Sequence, residues 1–522
     1  MLDKKSNPVV KIVDLELTVP SLNDNRSHET RLRTALNEEF GKVLIPLYAL
    51  KKLVHLPEWS YRLKVVLLYS NNVWEVVDCF PVDQDINIYG IAIDLGSTSV
   101  VFYLIDLLTS KVLETVSKPN PQIVHGEDIL DRILFAGRGD GLEILQKEIV
   151  ELFNKTFNSL LTKYNSSIED LFYISVAGNT TMCHFLFALD PSHLCKEPYI
   201  PVVNTFDLIY AKELGINTHP LGRLYCFSNV GSYFGGDLLA GILASKMHLK
   251  EEISMLIDVG TNAEVVLGNN EWLVACAGAA GPALEGGILA CGMRAQPGAI
   301  ERVSIDPHTL KVSYKTIGNA LPKGLCGSGI IDLLSALFLA GLVEPTGKLV
   351  PSRDPARMIQ INGDWAYVVA HETETAHGKP VYIDQGDIKN LVRSKGAMYT
   401  ILNVVIQSVG IEFKDIDHYY VAGAFGSYID PEKAINIGML PDVPKDRFVG
   451  LGNAAGEGAV QVLLDYSNIQ RIESIKDSIT YLEMNVRGDF MNQLTGALFL
   501  PHTDMSRFPS IAKKLKELKR DL

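Results

Sequence analysis

Two short stretches carry residue types suited to holding a polyphosphate, Asp94-Leu95-Gly96-Ser97-Thr98 and Asp258-Val259-Gly260-Thr261-Asn262. In such a turn glycine lets the backbone approach phosphate oxygens, while successive N–H groups and a hydroxyl donate to them. The aspartate at the strand end can hold Mg2+, usually through water. One D-x-G-T alone is a weak signal and reads more readily as a structural turn, since Asp and Gly populate any tight hairpin. These two, however, share their surroundings. Ile91-Ala92-Ile93 leads into the first and Val100–Ile105 follows; after a turn at Thr109-Ser110 the apolar pattern resumes at Val112-Leu113. Met255-Leu256-Ile257 leads into the second and Val265-Val266-Leu267 follows; after Gly268-Asn269-Asn270 the pattern resumes at Trp272-Leu273-Val274. Each copy predicts strand, phosphate turn, strand, turn, strand. Asp94 and Asp258 lie 164 residues apart, a whole domain's length. Two similar α/β domains facing each other across a nucleotide cleft are the simplest expectation.

Other glycine-rich turns fall where the rest of a nucleotide would lie. Gly423-Ala424-Phe425-Gly426 follows an expected strand at Tyr419–Ala422, and its small residues leave room for an adenosine ring. Gly327 and Ser328 open an expected helix, Gly329–Leu342, where free N–H groups and the helix dipole favour an anion; a plain N-cap is the alternative. Asp237, after Gly235-Gly236, heads another helix, where it can orient a water or acceptor hydroxyl or simply complement the dipole. His125-Gly126-Glu127-Asp128 and Asn179-Thr180-Thr181-Met182 read as caps and turns or as cleft lining. His371 and His377 are six apart and do not share a helical face, which favours a loop over a metal site. The positioning framework expected is strands at Val9–Leu17, Tyr61–Tyr69 and Ile174–Val176 with helices at Glu29–Phe40, Ile144–Leu161 and Asp387–Val409. The basic tail Ser506–Leu522 reads as a solvated helix, with docking to an acidic partner as the alternative.

Several chemistries lack a basis. Gly341–Leu349 has one residue too many for a P-loop, and Leu349 replaces the magnesium-binding hydroxyl. No G-x-G-x-x-G follows a strand, so a dinucleotide fold is unsupported. With 48 Lys and Arg against 61 Asp and Glu, the formal charge of −13 argues against nucleic acid or anionic membrane as partner. The seven cysteines form no C-x-x-C, since the closest pair, Cys183 and Cys195, is twelve apart. Zinc-ribbon, ferredoxin and thioredoxin motifs are thus missing, and reduced cytosolic thiols are expected. No apolar leader is seen and no apolar run approaches the ~20 residues of a membrane span, so a cytoplasmic location is expected.

Taken together the turns resemble the actin, sugar-kinase and heat-shock ATPase superfamily, in which two ribonuclease-H-like lobes close on ATP. A finer resemblance rests on an ordered string of motifs. These are Pro119-Asn120-Pro121-Gln122 with His125–Asp128, Ala177–Met182, Asp258–Glu264, Ala279–Gly286, Cys326–Gly329 and Ala422–Asp430. From about Ile88 to His502 the string is similar to the ATPase domain of the reductive activators of corrinoid proteins. The N-terminal segment, with Leu15-Glu16-Leu17, Pro20-Ser21-Leu22 and Asp24-Asn25-Arg26, is similar to the small domain preceding that ATPase.

The resemblance implies an α/β chain with a small N-terminal domain of middle type over 1–87 and ATPase lobes over 88–253 and 254–465. A C-terminal segment, 466–522, would close on the lobes. It implies that Gly96, Ser97, Thr98, Gly260, Thr261 and Asn262 hold phosphates and that Asp94 and Asp258 organise Mg2+ and water. Gly423, Ala424, Phe425 and Gly426 would receive adenosine, with Gly327 and Ser328 nearby. Asp237 and Glu285 are the candidates for positioning the attacking water. The implied job is ATP-dependent return of Co(II) to Co(I) in a corrinoid protein of a methyltransferase system. No iron–sulfur cluster is expected within this sequence, so a separate ferredoxin or flavoprotein is the expected low-potential donor. A homodimer stays open. The alternatives are a small-molecule kinase of the same superfamily and a nucleotide-dependent binding switch without redox work.

Overall fold

The computed structural model describes residues 7–54, 61–126, 128–260, 262–279, 281, 289–482, 484 and 490–519. The alternation over Val9–Leu17 yields β1 (Val10–Glu16). Ser27 then caps the helix His28–Phe40 by accepting the Thr30 N–H, and the helix buries Leu32 and Leu36. With β2 (Val43–Leu44), β3 (Arg62–Ser70) and β4 (Val73–Pro81) these build a four-stranded sheet in the order β1-β3-β4-β2.

The turn Gly96–Thr98 belongs to a second sheet. Its strands are β5 (Tyr89–Leu95), β6 (Ser99–Asp106), β7 (Lys111–Pro119), β8 (Leu171–Gly178), β9 (Ile209–Tyr210) and β10 (Arg223–Cys226). Their order is β7-β6-β5-β8-β10-β9. β5, β6 and β7 form an antiparallel meander, β8 runs parallel to β5, and β10 runs parallel to β8. β8 is buried along its whole length, as expected for a strand inside the parallel part of a sheet. The edge strand β7 instead exposes Lys111 and Lys118, charges that discourage further pairing.

The second turn lies in a third sheet begun by β11 (Ser254–Val259), β12 (Asn262–Gly268) and β13 (Leu273–Ala279). Two three-stranded sheets interrupt it, β14 (Ala299–Ile305) with β15 (Val312–Thr316) and β16 (Gly324–Leu325), and β17 (Met358–Ile361) with β18 (Asp364–Ala370) and β19 (Val381–Asp384). β20 (His418–Ala422), β21 (Phe448–Gly452) and β22 (Ile479–Leu482) complete the order β21-β20-β11-β12-β13-β22. Leaving aside the two-residue edge strand β9 of the first sheet and the edge strand β22 of the second, both large sheets read third, second, first, fourth, fifth by position in their own repeat, with the same strand directions. The repeat seen in ten residues of sequence thus extends to the whole topology, and the expected ribonuclease-H-like α/β class holds. None of the helices among the described residues is long and apolar enough to cross a membrane.

The chain forms two compact units, 1–244 with 455–477 and 245–454 with 478–522. The segment Ala455–Asp477 therefore packs with the first unit although it follows β21. Ser175 on β8 donates its hydroxyl to the carbonyl of Ala459 at 2.7 Å, and Tyr466 stacks on Tyr69 at 3.7 Å between ring centroids. The basic tail forms the helix Pro509–Glu517, but it is not wholly solvated. Ile511 and Leu515 join the core of the second unit, and Lys514 pairs with Glu432 at 2.6 Å.

Within the first unit, charged groups of the N-terminal sheet meet the lobe that follows it. Glu75 on β4 pairs with Arg223 on β10, and both side chains are nearly inaccessible, at 4% and 8% exposed. The Arg223 guanidinium lies 3.5 Å from the centre of the Tyr210 ring, and the Tyr210 hydroxyl donates to Glu75 at 3.4 Å. Beside them His219 accepts the Leu221 N–H on Nδ1, which leaves Nε2 to donate to Asp78 at 3.3 Å. A buried pair adds little net stability but is costly to break from one side. R223M should therefore lower the unfolding free energy by about 3–5 kcal/mol, while the joint E75Q/R223M replacement recovers most of that loss. Urea titration followed by tyrosine and tryptophan fluorescence reads the difference; equal losses in the two variants would deny the pair this role.

Candidate functional site

In the first unit, strand register delivers the expected residues to one sheet end. Asp94 and Leu95 close β5 opposite Ala177 and Gly178 of the parallel β8, so the turn Gly96–Thr98 and the cap residue Asn179 leave the sheet side by side. Glycine is needed at 96 because a Cβ there would fall 2.6 Å from the Ser99 carbonyl oxygen. The turn is partly exposed on one side and firmly held on the other. Asn120 donates its side-chain N–H to the Gly96 carbonyl at 2.9 Å and its backbone N–H to the Thr98 carbonyl at 3.0 Å. Arg132 donates to the Ser97 carbonyl at 2.7 Å and to the Gly126 carbonyl at 2.9 Å.

Asp237 joins this group. It stands in the first turn of the helix Gly236–Ser245, and its Oδ1 accepts the Leu238 N–H at 2.9 Å. A Cβ on Gly235 would lie 2.5 Å from Asn179 Cα and 2.8 Å from Asp237 Oδ1, so the carboxylate sits against the Asn179 cap. Near Asp94 lie two residues that the sequence reading did not single out, Tyr103 and Glu457. Burial first, then the charges of Asp94 and Glu457, push the Tyr103 hydroxyl up to about 12.

The second unit assembles its turn differently. Asp258 pairs in register with Ala422 of the parallel β20, and the chain then turns through Gly423 at φ +75°. A Cβ on Gly423 would stand 3.1 Å from Asp258 Oδ1. The expected adenosine turn and the expected magnesium aspartate are thus direct neighbours. Burial pushes the Asp258 carboxyl up to about 6, against the lowering effect of the Val259 N–H. Gly260 donates to the Asn262 carbonyl at 2.9 Å, which closes the hairpin between β11 and β12. Thr261 and Glu285 lie outside the described residues, as do the side chains of Ala424 and Phe425; the backbone of 423–428, which includes Gly426, forms a short helix. Gly327 and Ser328 open the helix Gly327–Leu339, and Ser328 is buried beside the Cys326 thiol at 3.5 Å.

The weaker sequence candidates are structural. Asp128 caps the helix Ile129–Ala136 through the Asp131 N–H, and Asn179 caps Thr180–Leu186 through the Met182 N–H. His125 stacks on Phe135 at 4.2 Å and meets Glu148 at 2.9 Å. His371 caps a single 3-10 turn, and the His377 ring contacts the Lys323 carbonyl. Among the described residues no group of three or more His, Cys, Asp or Glu is placed to hold a metal. The arrangement still fits magnesium of the kind bound with nucleotides, which takes one or two carboxylates and completes its shell with water and phosphate. The desolvated Asp258 carboxylate gains from a cation, and the Gly96 turn has its carbonyls tied back.

The pH dependence of Asp258 follows from its raised pKa. The folded chain keeps that proton from the ordinary value of 3.8 up to about 6, so stability is lost as pH rises across this window. D258N, which stays neutral, should gain stability over the unmodified protein above pH 6 in the absence of nucleotide, and this gain should shrink towards pH 4. Thermal melts in metal-free buffer at both ends of the window measure it; a pH-independent difference would contradict the assignment.

Comparison with known proteins places the whole chain. Family profiles described as the RACo linker region, the RACo middle region and the C-terminal ASKHA domain of RACo match residues 3–85, 89–250 and 252–512. The linker profile falls on the stretch expected above as a domain of middle type. A solved structure titled reductive activator for corrinoid, iron-sulfur protein superposes with a TM-score of 0.90 at 36% identity, covering 98% of this chain and 82% of its own. The corrinoid activation enzyme RamQ of Eubacterium limosum is 31% identical over 440 residues, 83% of this chain and 73% of the relative. A [Co(II) methylated amine-specific corrinoid protein] reductase of Methanosarcina barkeri is 25% identical over 436 residues, 75% of this chain and 73% of that protein.

Proposed function

The chain belongs to the RACo family, and we propose that it is an ATP-dependent reductive activator, returning the cobalt of a corrinoid protein from Co(II) to Co(I). The observation that carries this reading is similarity along nearly the whole chain, 36% identity over 98% of its length, to a reductive activator of a corrinoid protein. The two phosphate turns support the nucleotide half of the reading.

Gly96, Ser97 and Thr98 in one unit and Gly260, Thr261 and Asn262 in the other would hold the phosphates, with Asp94 and Asp258 holding magnesium through water. Gly423, Ala424, Phe425 and Gly426 would take the adenosine, with Gly327 and Ser328 assisting. Bound magnesium supplies charge neutralisation on the transferring phosphoryl group. Asp237 sits against the Asn179 cap, on the same side of the lobe as the first turn, and we assign it the positioning of the attacking water. No covalent nucleophile is required, because phosphoryl transfer to water depends mainly on positioning and charge.

In the redox half, one electron from a separate low-potential donor, a ferredoxin or flavoprotein, reduces Co(II) to Co(I). That step is uphill from ordinary donors. ATP binding and hydrolysis would change how the activator grips its partner, and with it the ligation of the cobalt.

Incubation with a Co(II) corrinoid protein, a low-potential donor and ATP should produce the Co(I) absorption bands together with inorganic phosphate. D94A and D258A should each lower ATP turnover by on the order of 10²-fold or more while leaving partner binding in place. Absence of Co(I) with every corrinoid protein encoded nearby would sink the reading, and transfer of phosphate to a metabolite would favour a kinase instead.

A further inference from the structure

The geometry points to Arg132, with Asn120, as the pair of positioning residues that set the phosphate-binding face of the first turn. Both lie outside the set expected to touch nucleotide. Arg132 is 0% exposed and Asn120 is 1% exposed. Burying a guanidinium costs several kcal/mol unless strong hydrogen bonds offset it, and here those bonds go to backbone carbonyls of the turn and of the strap that follows it.

The arrangement is complete for three consecutive peptides. The carbonyls of Gly96, Ser97 and Thr98 accept from the Asn120 side chain, the Arg132 guanidinium and the Asn120 backbone respectively. In a trans peptide the N–H points opposite to the C=O of the same plane. Fixing those carbonyls on the interior side therefore turns the N–H groups of Ser97, Thr98 and Ser99 the other way, towards the face that the proposed ATPase presents to phosphate. The positive charge behind the Ser97 peptide also polarises it, so that its outward N–H becomes a better donor to an anion.

The two residues are themselves held in place. Asn120 Oδ1 accepts the Gln122 N–H at 2.9 Å, which fixes which end of the amide faces Gly96. Gln122 in turn donates to the Leu145 carbonyl on the long helix Gly141–Lys163 at 2.8 Å. Arg132 occupies the i+3 place on the inner face of the helix Ile129–Ala136, level with Ile133 and Ala136, which are buried. The Met182 sulfur lies 3.8 Å from the Asn120 side-chain nitrogen and 3.9 Å from the Arg132 guanidinium, beneath both.

The inference rests on the nucleotide half of the proposed function, and its test reads nucleotide binding directly. Titration calorimetry with magnesium–ATP would compare the unmodified chain with R132K, R132Q, R132A and N120A, each checked for folding by circular dichroism and thermal melting. We expect roughly tenfold weaker binding or more for R132Q, R132A and N120A, about the worth of one charge-assisted hydrogen bond. R132K keeps the charge without the fork and should fall between. Added guanidinium ion should restore part of the loss in R132A and none in N120A, a response that general loosening of the fold would not give. Folded R132K and R132A binding ATP within twofold of the unmodified chain would overturn the inference. Normal ATP binding without Co(I) formation would instead count against the redox reading and leave this test standing.

Discussion

A turn that offers its N–H groups to an anion must dispose of its carbonyls on the opposite side, and away from water each carbonyl needs a donor. Much of the first unit follows from that requirement. The donors cannot come from the turn itself, so the chain returns after β7 to place Asn120 and Arg132 behind Gly96–Thr98. Their placement in turn requires the strap Pro121–His125 and the helix Ile129–Ala136 to be anchored. Gln122 and the His125–Glu148 contact tie the strap to the long helix Gly141–Lys163, and His125 stacks on Phe135 of the shorter helix. Local propensity shapes these elements, but the carbonyl requirement decides where they stand.

Elsewhere the protein uses the same device of a buried basic side chain donating to backbone oxygens. Lys395 is completely buried on the helix Gln385–Val409 and donates to the carbonyls of Phe499 and Pro501. Burial pulls its pKa well below the ordinary lysine value, so this clamp is made at an electrostatic cost. It fixes a segment that packs too closely for bulk, since a Cβ on the neighbouring Gly396 would come within 2.9 Å of the Ala497 carbonyl oxygen. Unlike the Glu75–Arg223 pair, which joins two sheets through opposite charges, Arg132 and Lys395 each donate to backbone carbonyls. In each case a single side chain holds an irregular stretch that has no ladder of its own.

The paired strands were legible because period-two apolar patterns and turn residues are local signals. Asp94 and Asp258 could be placed at strand ends from those signals alone, and the matched sheet order then follows from the repeat. The supports were not legible, for a physical reason. The bonds from Asn120 and Arg132 reach 24 and 35 residues back along the chain, and no periodicity records a contact of that separation. One clue did exist: Ile129, Arg132, Ile133 and Ala136 follow the i, i+3, i+4, i+7 spacing of a buried face, and an arginine in that series requires an interior partner. The return of Ala455–Asp477 to the first unit left no such trace, because an apolar helix face does not specify which core it will join. Between Ala299 and Asp384, the strands β15, β16, β17 and β19 were not picked out because runs of two to five residues resemble loops.

The turns after Asp94 and Asp258 match as motifs, yet their surroundings differ. The first turn is rigidly backed, so it should be nearly the same with and without ligand. The second ends in Asp258, a desolvated carboxyl raised to about 6 and placed against Gly423. At neutral pH that group is ionised in surroundings that oppose its charge, and a nearby cation removes the penalty. A ligand that brings a cation would favour the ionised form of Asp258. Linkage then requires that whatever conformation best relieves Asp258 become more populated when the site is filled. On the proposed function, this division would let one turn define the phosphate position while the other responds to the cation that comes with the nucleotide.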